Sequence, residues 1–183
     1  MAQYEVTASQ WVPTHFVRLL QLPAAARRRY DLSAHRLAIH AAAPCPVEVK
    51  RRMIAWWGPI LTEYYAATEG GGTMVDAATW LQHPGTVGRH WAEGKVWILD
   101  DEGQEVPTGQ AGLIYFDAPA TANERFHYYK DTEKTASAYR EQRFTIGDIG
   151  YLDAECYLFL TDRQSHMIIS GGANIYPREI EEV

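Results

Sequence analysis

Leu37-Ala-Ile-His40, Ala41-Ala-Ala-Pro-Cys-Pro46, Val47-Glu-Val-Lys-Arg-Arg-Met-Ile-Ala-Trp-Trp57 and Ile60-Leu-Thr-Glu-Tyr-Tyr65 decide the fold of this chain. The first is a short apolar run suited to a buried strand, and the two prolines of the second break it into a loop. In the third, Val47, Met53, Ile54 and Trp57 stand against Glu48, Lys50, Arg51 and Arg52, which predicts an amphipathic helix ended by Gly58-Pro59. The fourth reads as a second strand. Strand, helix and strand in this order predict a right-handed parallel crossover, and sheets of that kind take ligands beyond the carboxyl ends of their strands. The loop from Ala41 to Pro44 and the pair Thr68-Glu69 lie at such ends.

Upstream, Trp11, Val12, Phe16, Leu19 and Leu20 repeat at helical spacing, with Pro13 tolerated near a helix start, which predicts a helix from about Thr14 to Leu20. Downstream the texture changes after Gly70. Lys95-Val-Trp-Ile-Leu99, a turn at Asp100-Asp-Glu-Gly103 and Gly112-Leu-Ile-Tyr-Phe116 predict antiparallel strands of a small β-barrel or meander. The segment from Asp131 to Tyr139 opens with a capping residue and predicts one short helix; Phe144 to Ile149, Tyr157 to Thr161 and Met167 to Ser170 return to strand. Pro177 to Val183 begins a helix of about two turns, too short to hold without packing partners, so the carboxyl end reads as a cut through an element. The fold class is therefore α/β followed by mainly antiparallel β.

Composition bounds the function. A chain of 183 residues, 46% hydrophobic and 22% charged, is long enough for a sizeable core and has no apolar run approaching the roughly 20 residues needed to span a bilayer. The amino terminus lacks the pattern of a secretory signal, and Cys45 and Cys156 form no close pair, so a reducing, cytoplasmic setting is expected. A net charge of -6 argues against nucleic acid as partner. The basic cluster Arg27-Arg28-Arg29 reads as solvated surface.

Four segments carry chemistry: Tyr65-Ala-Ala-Thr-Glu69, Gly147-Asp-Ile-Gly-Tyr-Leu-Asp153, Thr161-Asp-Arg163, and Ser170-Gly-Gly-Ala-Asn-Ile-Tyr-Pro177 leading into Arg178-Glu-Ile-Glu-Glu182. Their order, the separation of Asp148 from Arg163, and the flanking Pro84-Gly-Thr-Val-Gly88 and Tyr128-Tyr-Lys-Asp131 resemble the adenylate-forming superfamily across nearly the whole chain. Val12-Pro-Thr-His-Phe16 and Ala41-Ala-Ala-Pro44 extend the resemblance toward fatty acyl-CoA synthetases, or AMP-dependent acid–CoA ligases. The resemblance implies part of a large amino-terminal domain, with a parallel α/β subdomain over 1–87, a distorted β-barrel subdomain over 88–163, and the hinge and start of a small carboxy-terminal domain over 164–183.

It also implies roles. Such enzymes activate a carboxylic acid with ATP as an acyl-adenylate and pass the acyl group to CoA, a reaction that needs charge neutralisation and alignment. Glu69 would be a Mg²⁺ ligand and Thr68 a donor to the α-phosphate, although Thr68-Glu69 can also be read as a plain cap to a glycine loop. Tyr65 would lie against adenine, with Glu63, Ala42 and Ala43 bordering it; a strand tyrosine is also an ordinary core residue. Asp148 offers two acceptors to the ribose hydroxyls and Arg163 a donor, while a turn aspartate can equally bond its own backbone. His15 would gate the acyl pocket or simply pack, Ser165 would be the hinge where many members have Asp or Lys, and Gly171 and Gly172 would turn near the CoA path.

Neither the Gly- and Ser/Thr-rich phosphate loop with its lysine nor the distal lysine of the small domain lies within these residues, so the remainder of the polypeptide is an expected partner and the chain alone is expected to be inactive. Two other functions fit the same residues: a non-catalytic AMP-binding regulatory module, and an adenylation domain charging a carrier protein.

Overall fold

The computed structural model of the chain describes residues 1–91, 93–163, 168–170 and 173–175. Two compact units emerge, Met1–Tyr65 with Met74–Gly88, and Ala66–Thr73 with Arg89–Val183.

In the first unit the chain runs through β1 (Ala8–Trp11), α1 (Pro13–Leu20), α2 (Ala24–Arg28), β2 (Leu37–His40), α3 (Val47–Trp57) and β3 (Leu61–Ala67). β2 pairs in parallel with β1 on one side and β3 on the other, in a register that aligns Trp11 and His40, the last residues of β1 and β2, with Glu63 inside β3. A turn of two residues, Thr68 and Glu69, leads to β4 (Gly70–Asp76) beside β3, and α4 (Ala77–Gln82) follows. The Asp76 side chain starts α4 by accepting the Thr79 N–H at 2.8 Å, a cap worth about 1 kcal/mol.

The core of this unit follows from the two helical stripes. Phe16 and Leu20 stand one turn apart on α1, and with Met53, Ile54, Leu61 and Trp80 they exclude water. Each such side chain contributes roughly 1.5–3 kcal/mol by leaving solvent. Lys50 departs from the pattern. Its charge groups it with the polar residues of α3, yet it stands three and four residues before Met53 and Ile54, on their face of the helix, and is fully buried there, where Glu63 of β3 meets its ammonium. The strand β1 is a second departure: Trp11, counted in the helical stripe, is instead a strand residue paired with His40.

The second unit contains β5 (Arg89–His90), β6 (Val96–Leu99), β7 (Gly112–Asp117), α5 (Thr132–Ala138), β8 (Tyr139–Arg140), β9 (Arg143–Leu152) and β10 (Leu158–Arg163), and also β11 (Ile168–Ser170) and β12 (Ala173–Ile175). Its antiparallel strands take the order β10-β9-β7-β6, with Ile98, Ile114, Phe116, Phe144, Ile149 and Leu158 buried. Among the described residues this sheet is open, with β10 and β6 at its edges, where the resemblance implies a barrel. The glycines that open β4 admit aromatic rings: a Cβ on Gly71, at φ 69°, would stand 2.5 Å from the Phe116 ring. Among the described residues no helix is long and apolar enough to cross a membrane.

Candidate functional site

The candidate residues of the second unit gather at two places. At the tip of the β3–β4 turn, Thr68 donates from Oγ1 to Glu69 Oε2 at 3.0 Å, and the Tyr128 hydroxyl donates to Glu69 Oε1 at 3.1 Å. Partial burial pushes the Glu69 carboxyl up, but hydrogen bonds from its backbone, Thr68 and Tyr128, with Lys134 nearby, outweigh that and hold it below the usual value. Glu69 is therefore a carboxylate at neutral pH, held by uncharged donors and only partly covered.

The other place is the β9–β10 hairpin. Gly147, at φ 84°, donates its N–H to Thr145 Oγ1 at 3.0 Å, within a stretch of β9 where the register to β7 shifts. A bulge of this kind re-aims the side chain that follows it, here Asp148, and the left-handed backbone explains the glycine. Asp148 is buried, and the ladder sets it directly opposite Arg163, whose Nε stands 2.9 Å from Asp148 Oδ1. The two residues that the motif separates are thus cross-strand partners. A depression of about 410 Å³ is lined by Tyr128 and Lys134, neighbours of Glu69, and by Thr145 and Gly147, which precede Asp148, while Glu69, Asp148 and Arg163 are not part of its lining.

In the first unit, Glu63 is 5% exposed and its Oε2 accepts from Lys50 Nζ at 2.5 Å, with His40 Nε2 at 3.8 Å. Burial, and then the Lys50 charge, push His40 down to about 3, so its imidazole is neutral. Ala42 and Ala43 form the exposed tip of the β2–α3 loop, and Ala42 adopts φ 76°, a left-handed conformation that is costly for a residue with a Cβ. Tyr65 is half-buried in β3. His15 is exposed and closes the start of α1, its Nδ1 accepting the Val12 N–H at 3.4 Å. Ser165, Gly171 and Gly172, and the helix expected from Pro177, lie outside the described residues. Among the described residues no group of three His, Cys, Asp or Glu side chains is arranged to hold a metal ion.

Two residues of this arrangement escaped sequence reasoning. Tyr128 entered only as part of a flanking match, and Lys134 as part of a short helix. A long-range contact to Glu69 leaves no periodic trace, and a shared neighbour is visible only in the folded chain.

Residues 1–124 match the family described as AMP-binding enzyme. The chain belongs to that family. The chain is 31% identical over 182 residues to the long-chain-fatty-acid–CoA ligase of Bacillus subtilis (strain 168), covering 98% of itself and 32% of that protein. Among solved structures, the chain superimposes on amide bond synthetase McbA from Marinactinospora thermotolerans with a TM-score of 0.85 at 26% identity, over 98% of itself and 36% of that chain. O-succinylbenzoate CoA synthetase (MenE) from Bacillus subtilis, solved in complex with the acyl-adenylate intermediate OSB-AMP, gives a TM-score of 0.81 at 26% identity, over 98% of this chain and 35% of that one. The chain thus spans about a third of the length of these relatives.

Proposed function

We propose that the chain supplies nucleotide-binding residues to an AMP-forming acyl-CoA synthetase, which uses ATP and Mg²⁺ to turn a fatty or aromatic carboxylate into an acyl-adenylate and then transfers the acyl group to CoA. The observation that carries this reading is the cross-strand pairing of Asp148 with Arg163, which sets a buried carboxylate beside a guanidinium donor as two ribose hydroxyls would require. Asp148 and Arg163 would address the ribose, Thr68 the α-phosphate, and Tyr65, Ala42 and Ala43 the adenine. Ser165 would act as the hinge, Gly171 and Gly172 near the CoA path, and His15 as the acyl gate.

The residues present fit a magnesium ion in one respect. Glu69 is ionised, and its carboxylate, with about four lone-pair sites, accepts from the Thr68 and Tyr128 hydroxyls and from its own backbone N–H, which leaves an acceptor site over. With no set of three ligands among the described residues, the ion would complete its shell from phosphate oxygens and water, as Mg²⁺ commonly does. Bound there, it would neutralise phosphate charge.

The chain contains no Gly- and Ser/Thr-rich loop with a lysine, so we infer little turnover by these 183 residues alone. Binding is the direct test. Calorimetry on the chain should detect AMP in the millimolar range, and Asp148→Ala should weaken it at least about tenfold, the worth of one or two hydrogen bonds. No heat from the unaltered chain would sink the reading. The complete protein, given ATP, Mg²⁺, CoA and a panel of acids, should release AMP and pyrophosphate; ADP and phosphate would count against it.

A second reading concerns the acceptor. The likeness to an amide bond synthetase supports an amine nitrogen in place of the CoA thiol. Supplying both nucleophiles in one assay and identifying the acyl product separates the two.

A further inference from the structure

The loop that joins β2 to α3 is anchored at its ends and bare at its tip: His40, Ala41 and Cys45 are buried, whereas Ala42, Ala43 and Pro44 are exposed. Three elements meet under the anchors. Lys50, whose N–H makes an early bond of α3 to Pro46 C=O, extends its ammonium to Glu63 of β3 at 2.5 Å and lies 4.7 Å over the Trp80 ring of α4. Glu63 is in turn the ladder partner of His40, the last residue of β2. Either charge left alone in so dry a place is strongly unfavourable, so the pair holds α3 and β3 at one spacing. That spacing fixes where the loop begins and where it ends.

We propose that the Lys50–Glu63 ion pair is a positioning clamp for the loop of residues 41–45, holding its exposed tip in a single conformation for the nucleotide. The ligand rests on the function proposed above; the clamp does not. Ala42 agrees with it, since a non-glycine residue persists at φ 76° only where its surroundings over-determine the backbone. Sealed beneath the loop, Lys50 and Glu63 position rather than catalyse.

Cys45 is a built-in reporter. Burial pushes its thiol up to about 12, with Glu63 raising it further and Lys50 opposing. Thiol reagents attack the thiolate, and at pH 8 its fraction in such a site is about 10⁻⁴, against roughly a tenth or more for a released thiol.

The experiment follows modification of Cys45 by an aromatic disulfide in a chain whose exposed second thiol is removed by Cys156→Ser. Lys50→Met and Glu63→Gln should each accelerate the reaction at least tenfold under conditions where circular dichroism reports native helix, and without the steep denaturant dependence of global unfolding. Rates within twofold of the parent, or acceleration that tracks global unfolding, overturn the clamp. Should Lys50→Met fail to fold, Glu63→Gln keeps the shape and an acceptor for Lys50; because loss of the Glu63 charge by itself lowers the Cys45 thiol, its acceleration upholds the clamp only where amide exchange of residues 41–45 rises with it, and unchanged exchange overturns the clamp. Millimolar AMP should slow modification in the parent. Acceleration in the variants with no AMP effect in the parent overturns the ligand half of the proposal and upholds the clamp.

Discussion

Glu63 and Glu69 sit on one stretch of chain, in β3 and in the turn that follows it, and their surroundings treat them in opposite ways. Glu63 is buried and meets a lysine ammonium, so its charge is neutralised inside the fold. Glu69 is partly covered and meets two hydroxyl groups, Thr68 and Tyr128, which orient its oxygens without cancelling their charge. The contrast separates two uses of one residue type. A carboxylate answered by a buried cation organises the protein; one answered by neutral donors remains able to attract a cation from outside.

The largest expected effect breaks the first member of the pair. Lys50→Met leaves Glu63 buried without its cation and should lower stability by about 3–5 kcal/mol, whereas Glu69→Gln should cost below about 1 kcal/mol. Equal losses in urea unfolding would erase the distinction.

Acid sharpens the same contrast. His40, held at about 3, stays neutral in the folded chain while its unfolded counterpart takes a proton below the ordinary 6.5. The unfolded state then binds more protons, so stability should fall by on the order of 2 kcal/mol between pH 6.5 and 5. His40→Gln should flatten that slope; a slope unaltered by the substitution would place its origin elsewhere.

Tyr128→Phe carries the smallest effect, about 0.5–1.5 kcal/mol for one hydrogen bond. Because the folded Glu69 carboxyl titrates below its unfolded value, its contribution is present above that value and lost as pH falls through the folded one. Without the Tyr128 hydroxyl the carboxyl should climb toward the ordinary range, a displacement that NMR titration of Glu69 can read directly.

What the sequence alone discloses divides along physical lines. β2 and α3 are legible to the residue, because Leu37–His40 is bounded by prolines and Val47–Trp57 has its stripe and its terminal glycine. β1 is not legible, since Ala8-Ser-Gln-Trp11 has no strand-forming run of its own and is a strand only because β2 pairs with it. β4 opens with three glycines and reads as loop until Phe116 is seen against Gly71. Thr68, Glu69, Asp148 and Arg163 stand out through motif resemblance, but the partners that hold them do not. The spacing of Lys50 from Met53 and Ile54 already sets it on the inward face, which a grouping by residue type overlooks, but nothing in the pattern names Glu63 as the charge that meets it there.

The ladder that sets Asp148 against Arg163 carries a last consequence. The pair is electrically neutral as a unit, so whatever approaches it is sorted by hydrogen-bond geometry more than by charge. A vicinal diol can share the carboxylate without expelling the guanidinium, whereas an amine or a second anion would have to unseat one of them. Ionic strength should therefore scarcely alter the ribose binding proposed for this pair.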